Sequence, residues 1–507
     1  MLFRVVLLVV FVAVTIIIGL AFRGRADSVS GFVLGGRSVG PWLTAFAYGT
    51  SYFSAVVFVG YAGQFGWRFG TAALWIGIAN AVIGSLLSWL ILGRRTRVMT
   101  HHLGSATMPE FFGTRYDSNS LKVVASALVF VFLIPYTASL YNGLSRLFAM
   151  AFDIDFSICI IAMALLTAIF VIAGGYVATA VNDVIQGSIQ LIGIVVVLLA
   201  VIKINGGLGT ALTALSNVPD AAGNTGSFTS PFGPDPINLL GVMILTSFGT
   251  WGLPQMVGKF YAMKSEKTIA KGAVVSTTFA VIVSGGCYFL GSFGRLYSDK
   301  VDIAANGFDS IVPTILSEFS DAMIGMVIIL VLAASISTLS SLVITSSSTF
   351  TLDFLKDNII KDFNEKKQLL SIRVLVVVFI VISSVIAIIQ FQGGITFIAQ
   401  LMGVSWGALA GAFLAPFLYG LYWKRTTKTA IWVNFAFSTT LMVSNIFFRS
   451  AFPALLQSPI NCGAFAMVAG MVIVPVVSML TKVKDVDKVT SQFSCFEEST
   501  ETTSSNQ

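Results

Sequence analysis

The chain has 507 residues, of which 56% are hydrophobic and 10% charged, and its formal net charge is +7. With a mean hydropathy of +0.89, this composition excludes a soluble globular protein and predicts a protein that crosses the membrane many times. The two histidines and four scattered cysteines form no metal-binding or disulfide pattern. No P-loop is present, which disfavours transport driven by ATP.

A spanning helix needs about 20 mainly apolar residues, and the hydropathy pattern predicts about 13 such helices. They are expected at 3–22, 42–66, 70–93, 121–150, 156–176, 183–202, 237–258, 270–294, 321–350, 371–391, 394–421, 429–448 and 462–480. Residues 1–482 are therefore predicted to form a single transmembrane domain. The polar, Ser/Thr-rich segment 483–507 is predicted to be a disordered cytoplasmic tail.

Lysine and arginine are distributed unevenly between alternate loops. If the N-terminus lies outside, 23 of the 30 basic residues fall in cytoplasmic loops, Lys259 among them, and six fall outside. The positive-inside rule then predicts a multi-pass protein of the plasma membrane, with its N-terminus outside and its C-terminus in the cytoplasm. The net positive charge is therefore interpreted as a topology signal and not as a nucleic-acid surface.

Two predicted spans are interrupted. The first contains Ala-Tyr-Gly-Thr-Ser-Tyr-Phe-Ser at 47–54, and the second contains Gly249, Gly252 and Pro254, which disfavour a continuous helix. The interruptions are five spans apart, so the two halves, 42–202 and 237–421, would form a 5+5 inverted repeat. Paired broken helices of this kind indicate a transporter site, although single kinks are also common in membrane helices.

Four hydroxyl side chains are crowded into VLAASISTLSS at 331–341. Ser337, Ser340 and Ser341 have i, i+3 and i+4 spacing and share one helix face, while Thr338 and Ser341 share a neighbouring face. Neutral oxygen donors suit a dehydrated alkali cation better than a transition metal. The segment therefore predicts a sodium-binding helix; the alternative is close helix packing through small residues.

Three motifs together resemble the sodium:solute symporter family, which includes proline, pantothenate, glucose and sialic acid symporters. They are LGGRSVGPW (34–42), AGGYVATAVNDVIQG (173–187) and LAASISTLSS (332–341). The resemblance extends from the second span to the twelfth. It implies an all-α, leucine-transporter-like fold and a non-enzymatic symporter that imports a small organic solute with Na⁺ by alternating access. The expected partners are the solute, sodium and the lipid bilayer, and the expected oligomeric state is a monomer.

The same resemblance implies the ligands of one sodium ion and suggests a second. The first site would use backbone carbonyls and two hydroxyls of Thr50, Phe53, Ala334, Ser337 and Thr338. The second would combine Asp183 with Ser337, Ser340 and Ser341. A structural alternative for Asp183 is a helix cap, because Asn182-Asp183 precedes an apolar run and aspartate is favoured at caps.

Polar and aromatic side chains on the broken helices and their neighbours are the candidates for solute binding. They are Ser51, Tyr52, Ser54, Tyr136, Tyr141, Asn142, Thr246, Thr250, Trp251, Gln400, Ser405 and Trp406. Such a pocket fits an amino acid such as proline, or an organic acid such as pantothenate or a monocarboxylate. The proline symporters that the chain resembles have an aspartate where Tyr52 stands here, so their pocket is not reproduced.

Several alternatives stay open from the sequence. Within transport, the solute could be a sugar or sialic acid, and protons or lithium could replace sodium. Outside transport, a sensory receptor could use the same membrane fold. An intramembrane enzyme is disfavoured, because the spans contain no paired carboxylates and no HExxH or GxSxG motif.

Overall fold

The computed structural model describes residues 2–303, 307–356, 358–393 and 398–497. Within these residues the chain is helical, and extended pairing is limited to isolated bridges such as Val39 with Met263. Residues 394–397, where the eleventh predicted span begins, and residues 498–507 of the predicted tail lie outside the described residues.

The principal helices are numbered α1 to α15 in chain order. Their bounds are α1 Leu2–Ala21, α2 Pro41–Tyr52, α3 Ala62–Phe69, α4 Asn80–Gly93, α5 Asn119–Phe152, α6 Phe156–Ile204, α7 Pro236–Gly252, α8 Pro254–Tyr261, α9 Thr268–Ser292, α10 Asp321–Thr349, α11 Glu365–Gly393, α12 Ile398–Tyr422, α13 Lys428–Phe447, α14 Pro459–Leu480 and α15 Val486–Phe493. Shorter helical segments connect them, including Val56–Tyr61, Leu74–Ala79, Arg94–His102, Met108–Arg115, Leu208–Ser216 and Ile311–Ser317.

Ten helical stretches in the described residues are long and apolar enough to cross a membrane, or eleven when the bent pair α7–α8 is counted as one span. Two stretches exceed a single crossing: Val56–His102 has 47 residues and α6 has 49. At about 1.5 Å per residue each would be roughly 70 Å long, against about 30 Å of hydrocarbon. Each is interrupted by a glycine with positive φ, Gly70 (φ 60°) in the first and Gly175 (φ 54°) in the second.

Both predicted interruptions are confirmed. Helix α2 ends at Tyr52, and Phe53 is extended, with φ −106° and ψ 116°. Helix α7 ends at Gly252, Leu253 is extended, and α8 begins at Pro254 with a bend of 42°. Proline is favoured at the first position of a helix because it has no N–H to leave unpaired there, so Pro254 can restart the helix.

Helix α10, which carries the hydroxyl cluster, lies at the centre of the bundle. In its most apolar window 94% of the residues are buried, whereas the corresponding value for the peripheral α1 is 17%. The hydroxyls of α10 therefore face other helices and not lipid, and each needs a partner inside the protein.

The prediction of disorder from residue 483 is wrong for the described part of that segment. Helix α15 begins after Asp485, whose side chain accepts from Lys488 N. Gln492 Nε2 donates to Thr114 O at 3.0 Å, and the Arg115 guanidinium lies 5.0 Å from the centre of the Phe493 ring. Composition averaged over the whole segment concealed a short amphipathic helix that docks on the membrane domain.

Helices α3 and α9 approach each other through glycine. A Cβ atom added to Gly291 would lie 1.8 Å from Ala62 O, and one added to Gly66 would lie 2.0 Å from Gly291 C. No side chain fits at either position, because the obstructing atoms belong to the backbone and cannot rotate away.

We expect Gly291→Ala to destabilise the protein severely, by about 3 kcal/mol or more, since overpacking against backbone forces helices apart. Gly209→Ala is the matched control, because an added Cβ meets nothing within 4 Å there. Thermal unfolding of the solubilised protein, followed by size-exclusion chromatography, measures both. Equal midpoints for the two variants would contradict the close approach.

Candidate functional site

Helix α2 ends beside the hydroxyls of α10. The last turn of any helix leaves carbonyls without helical partners, and Thr50 lies in this turn. Ser337 Oγ donates to Thr50 O at 3.2 Å and to Ala334 O at 3.1 Å. Thr338 Oγ1 donates to the same two carbonyls, at 3.1 Å each. Two carbonyls and two hydroxyls thus form a compact four-oxygen group inside the protein.

The four-oxygen group is buried and carries no formal charge. Thr50 and Thr338 are fully buried, and Ser337 and Ala334 are at most 4% exposed. Its neutral oxygens suit a hard monovalent cation, whereas calcium sites use carboxylates and transition-metal sites use nitrogen or sulfur. No group of three or more His, Cys, Asp or Glu that could hold a metal occurs in the described residues. Phe53, the fifth residue that the resemblance implied, is extended and directly follows the end of α2.

The residues expected to form a second cation site are arranged differently. Asp183 is fully buried, and its carboxylate interacts with the Thr50 side chain and with Lys259, although neither carboxylate oxygen makes a hydrogen bond of good geometry in the described residues. Ser340 Oγ donates to Ile336 O of its own helix at 2.7 Å, and Ser337 Oγ is engaged in the four-oxygen group. Ser341 Oγ lies 2.9 Å from Ser51 Oγ on α2.

The alternative of a helix cap at Asp183 is wrong. The backbone break of α6 lies at Gly175, and Asp183 sits two turns inside the helical arm that follows. The sequence placed the start of this arm at residue 183 because the polar Asn-Asp pair interrupts the apolar pattern. The pair is instead accommodated in the protein interior, where Asn182 is 2% exposed.

Lys259 is a buried residue of this region that sequence reasoning assigned to a cytoplasmic loop. It belongs to α8 and is 3% exposed. Its Nζ donates to Ser341 Oγ at 2.9 Å and lies 5.2 Å from the centre of the Tyr176 ring. The signal available in the sequence was its position: it follows the Pro254 restart by little more than one helical turn, one residue beyond the predicted span 237–258.

Three aromatic residues form a cluster on the other side of the α2 break. The rings of Tyr52 and Trp406 are stacked with centroids 5.7 Å apart, and Tyr136 meets Trp406 edge-on at 5.9 Å. Tyr52 OH donates to Thr246 O and so links α2 to α7. Tyr136 OH faces Ser54 and Trp406, but Tyr136 OH, Trp406 Nε1 and the neighbouring Ser405 Oγ are buried and make no hydrogen bond of good geometry within the described residues.

Helix α4, which is a π-helix, holds the candidate residues of α7 in place. Thr246 Oγ1 donates to Asn80 Oδ1, Thr250 Oγ1 donates to Gly84 O, and Trp251 Nε1 donates to Ile83 O, each at 2.9 Å. These polar atoms are satisfied by the protein. Asn80, which the sequence did not single out, therefore positions α7, and a lone asparagine in an apolar span was the signal.

Most of the remaining candidates for solute binding have partners within the protein, and Ser54 also interacts with Tyr136 of the aromatic cluster. Ser51 is engaged with Ser341, and Ser54 Oγ accepts from Val56 N at 3.2 Å. Asn142 Nδ2 lies 3.3 Å from Gln390 Oε1, and Gln400 Oε1 accepts from Arg449 Nη1 at 3.2 Å. One further candidate, the fully buried Tyr141, has its hydroxyl beside Thr167 and Ser384.

Cavities open from both ends of the bundle. A cavity of about 1020 Å³, including its open mouth, is lined by Gln400, Arg449 and the ion pair of Arg68 with Asp235. A second one, of about 520 Å³ measured in the same way, reaches Lys259 and Ser341 from the opposite side. The broken helices thus lie between two vestibules, as a transported solute requires.

Helical spans, paired breaks and buried polar groups between two vestibules are typical of a membrane transporter. Residues 32–436 match the family model described as the sodium:solute symporter family. The chain therefore belongs to the sodium:solute symporter family, as the motifs predicted.

Known proteins similar to this chain agree with that assignment. A sodium/proline symporter of Staphylococcus aureus is 27% identical over 436 residues, covering 83% of this chain and 82% of the relative; that of strain JH9 is 28% identical over 434 residues, with the same coverage. Among solved structures, a substrate-bound, outward-open Na⁺-coupled sialic acid symporter has a TM-score of 0.72 at 18% identity, covering 94% and 98% of the two chains. A manganese transporter of Eremococcus coleocola has a TM-score of 0.51 at 14% identity, covering 87% and 95%. These two structures show the fold alone.

The two tyrosines of the aromatic cluster lead to opposite expectations. Tyr52→Phe should lower the midpoint of thermal unfolding, because it removes a buried hydrogen bond, worth about 1 kcal/mol, and strands Thr246 O. Tyr136→Phe should leave the midpoint unchanged or raise it, because its hydroxyl has no partner to lose. Unfolding of solubilised protein without added solute measures both, and a larger loss for Tyr136→Phe would contradict the absence of a hydrogen bond at its hydroxyl within the described residues.

Proposed function

We propose that this protein is a sodium-coupled secondary active symporter that imports a small organic solute by alternating access. The four-oxygen group at the α2 break is the observation that carries this proposal. It joins the carbonyl of Thr50, freed by the end of α2, to the hydroxyls of Ser337 and Thr338 on α10. A bound sodium ion would take the place of the hydroxyl hydrogens as the partner of the Thr50 carbonyl and would also contact the hydroxyl oxygens of Ser337 and Thr338. The carbonyls of Ala334 and Phe53 would complete the ligand set.

Coupling between ion and solute would operate through α2. Thr50 belongs to the four-oxygen group, while Tyr52, two residues further, stacks on Trp406 in the aromatic cluster. Sodium binding that fixes the end of α2 also fixes Tyr52, so the ion favours the conformation that binds the solute. Inward movement of one sodium ion supplies about 2.3 kcal/mol per 100 mV of membrane potential, in addition to its concentration gradient.

The solute is proposed to be an amino acid such as proline or an organic acid such as pantothenate or a monocarboxylate. The unpartnered Tyr136 OH, Trp406 Nε1 and Ser405 Oγ can each donate a hydrogen bond, which a carboxylate would accept. The stacked rings of Tyr52 and Trp406 offer an apolar surface to the rest of a small solute. The names of the Staphylococcus aureus relatives favour proline, although Tyr52 distinguishes this pocket from that of the proline branch.

The proposed topology has 13 spans in the plasma membrane, with the N-terminus outside and the C-terminus in the cytoplasm. Division of the two overlong stretches at Gly70 and Gly175 supports this count. The breaks after Tyr52 and Gly252, about 200 residues apart, support inverted repeats at 42–202 and 237–421. The distribution of lysine and arginine supports the orientation, and one chain is proposed to be the transporting unit.

Uptake into proteoliposomes under an inward sodium gradient tests the proposal. Radiolabelled amino acids, pantothenate, short monocarboxylates, sialic acid and sugars would be offered, with a potassium gradient as the control. We expect sodium-dependent accumulation of an amino acid or organic acid. Accumulation that ignores sodium would refute the coupling ion, and accumulation of sugar or sialic acid alone would refute the solute class.

Thr338→Ala should raise the half-saturating sodium concentration about tenfold or more, because a hydroxyl that binds a charged partner is worth about 1.5–3 kcal/mol. Ser335→Ala is the matched control: Ser335 lies on the same buried helix, but its Oγ donates to Val331 O at 2.7 Å. Binding of radioactive sodium to the purified protein measures both variants. Equal losses of sodium affinity in the two variants would mean that the substitutions disturb the packing of α10, and that Thr338 is not a sodium ligand.

A further inference from the structure

The buried charges beside the four-oxygen group have no role in the proposed sodium site. Lys259 and Asp183 interact electrostatically across the interior, yet no hydrogen bond joins them in the described residues. Lys259 reaches instead to Ser341, three residues beyond Thr338 on α10, at 2.9 Å. These are residues of the region where the resemblance suggested a second sodium ion.

We propose that the Lys259 ammonium is a tethered cation in the place of a second sodium ion, so that this chain carries one sodium ion per transport cycle. The inference rests on the proposed function, because it specifies the ion count of that sodium-coupled cycle.

Charge balance is the first argument. Asp183 introduces one buried negative charge, which is costly unless a cation compensates it. Lys259 supplies one positive charge from within the chain, and the pair is neutral. A sodium ion bound at Ser341 Oγ would have to lie next to the ammonium that donates to that atom. Two cations so close in a medium of low dielectric constant repel each other strongly, so the second ion is excluded.

The engagement of the serine hydroxyls is the second argument. Ser341 Oγ contacts both Lys259 Nζ and Ser51 Oγ, each at 2.9 Å. Ser340 Oγ donates to the backbone of its own helix, and Ser337 Oγ belongs to the four-oxygen group. Ser337 and Ser340 donate their hydrogens and keep their lone pairs, but Ser341 Oγ already accepts from the ammonium, so a second ion would have to compete with Lys259 for that oxygen.

The region around Ser341 is accessible from a cavity, so the lack of a path does not explain why a second sodium ion would be excluded. Lys259, Tyr176 and Ser341 line the cavity of about 520 Å³, which continues past Thr107 and Tyr261. An ion could therefore reach Ser341 from this vestibule. It is the resident ammonium, and not the lack of a path, that keeps sodium from binding.

The position of Lys259 gives the tethered cation a mechanical role. Lys259 lies on α8, after the break at Leu253, whereas Ser51 lies on α2, before the break at Phe53. Both side chains meet at Ser341 of α10. The ammonium thus links the two broken helices to the helix that carries the sodium site, and it remains attached when sodium leaves.

Equilibrium binding of radioactive sodium to the purified full chain tests this inference, with potassium keeping the ionic strength constant. We expect one ion per chain for the wild type and for Lys259→Arg, which retains the charge. Lys259→Met should bind two, because Asp183 then lacks its cation, and the added Asp183→Asn substitution should return the count to one. Sodium should also stabilise Lys259→Met against heat more than it stabilises the wild type.

Two ions in the wild type, with one lost in Asp183→Asn, would overturn the inference. A folded Lys259→Met that still binds a single ion would also overturn it. If Lys259→Met does not fold, Asp183→Asn alone decides, since an unchanged count of one supports the tethered cation. A wild type that binds no sodium would refute the proposed function. In that case, an Asp183-dependent ion that appears in Lys259→Met would still support the inference about Lys259. If no such ion appears, the inference is overturned as well.

Discussion

The end of α2 in the middle of the protein is the constraint on which the rest of the site depends. A helix that stops inside a membrane domain leaves carbonyls that must find partners there, since hydrocarbon offers none. Here the Thr50 carbonyl is met by the hydroxyls of Ser337 and Thr338 on α10. This arrangement explains why α10 is both the most deeply buried helix and unusually rich in serine and threonine.

The surrounding helices stabilise the broken ones without closing the space between them. Asn80 and the carbonyls of α4 hold α7 through three hydrogen bonds of 2.9 Å, and Tyr52 joins α2 to the same helix. Polar atoms committed to these contacts are structural. Those of Tyr136, Trp406 and Ser405 are buried and make no hydrogen bond of good geometry in the part of the chain that the structure describes, and such groups are costly unless they gain a partner.

The fold was predictable from the sequence where a local rule applied. Mean hydropathy and the glycine and proline interruptions depend on residues close together in the chain, so the helical membrane fold and both breaks followed directly. Local rules failed where average composition concealed a pattern. The tail from residue 483 looked disordered by composition, yet α15 docks through Gln492 and Phe493.

The sequence by itself determined that this chain is a membrane transporter with paired broken helices and a hydroxyl-rich central helix, because hydropathy and helix-breaking residues act over short distances. Only the tertiary structure decided which polar groups meet. It paired Gln400 with Arg449 and Asn142 with Gln390, and it brought Lys259 of α8 to Ser341 of α10 and into electrostatic interaction with Asp183 of α6. Those contacts join residues that are tens to hundreds of positions apart, and no periodicity along the chain encodes the distance between them.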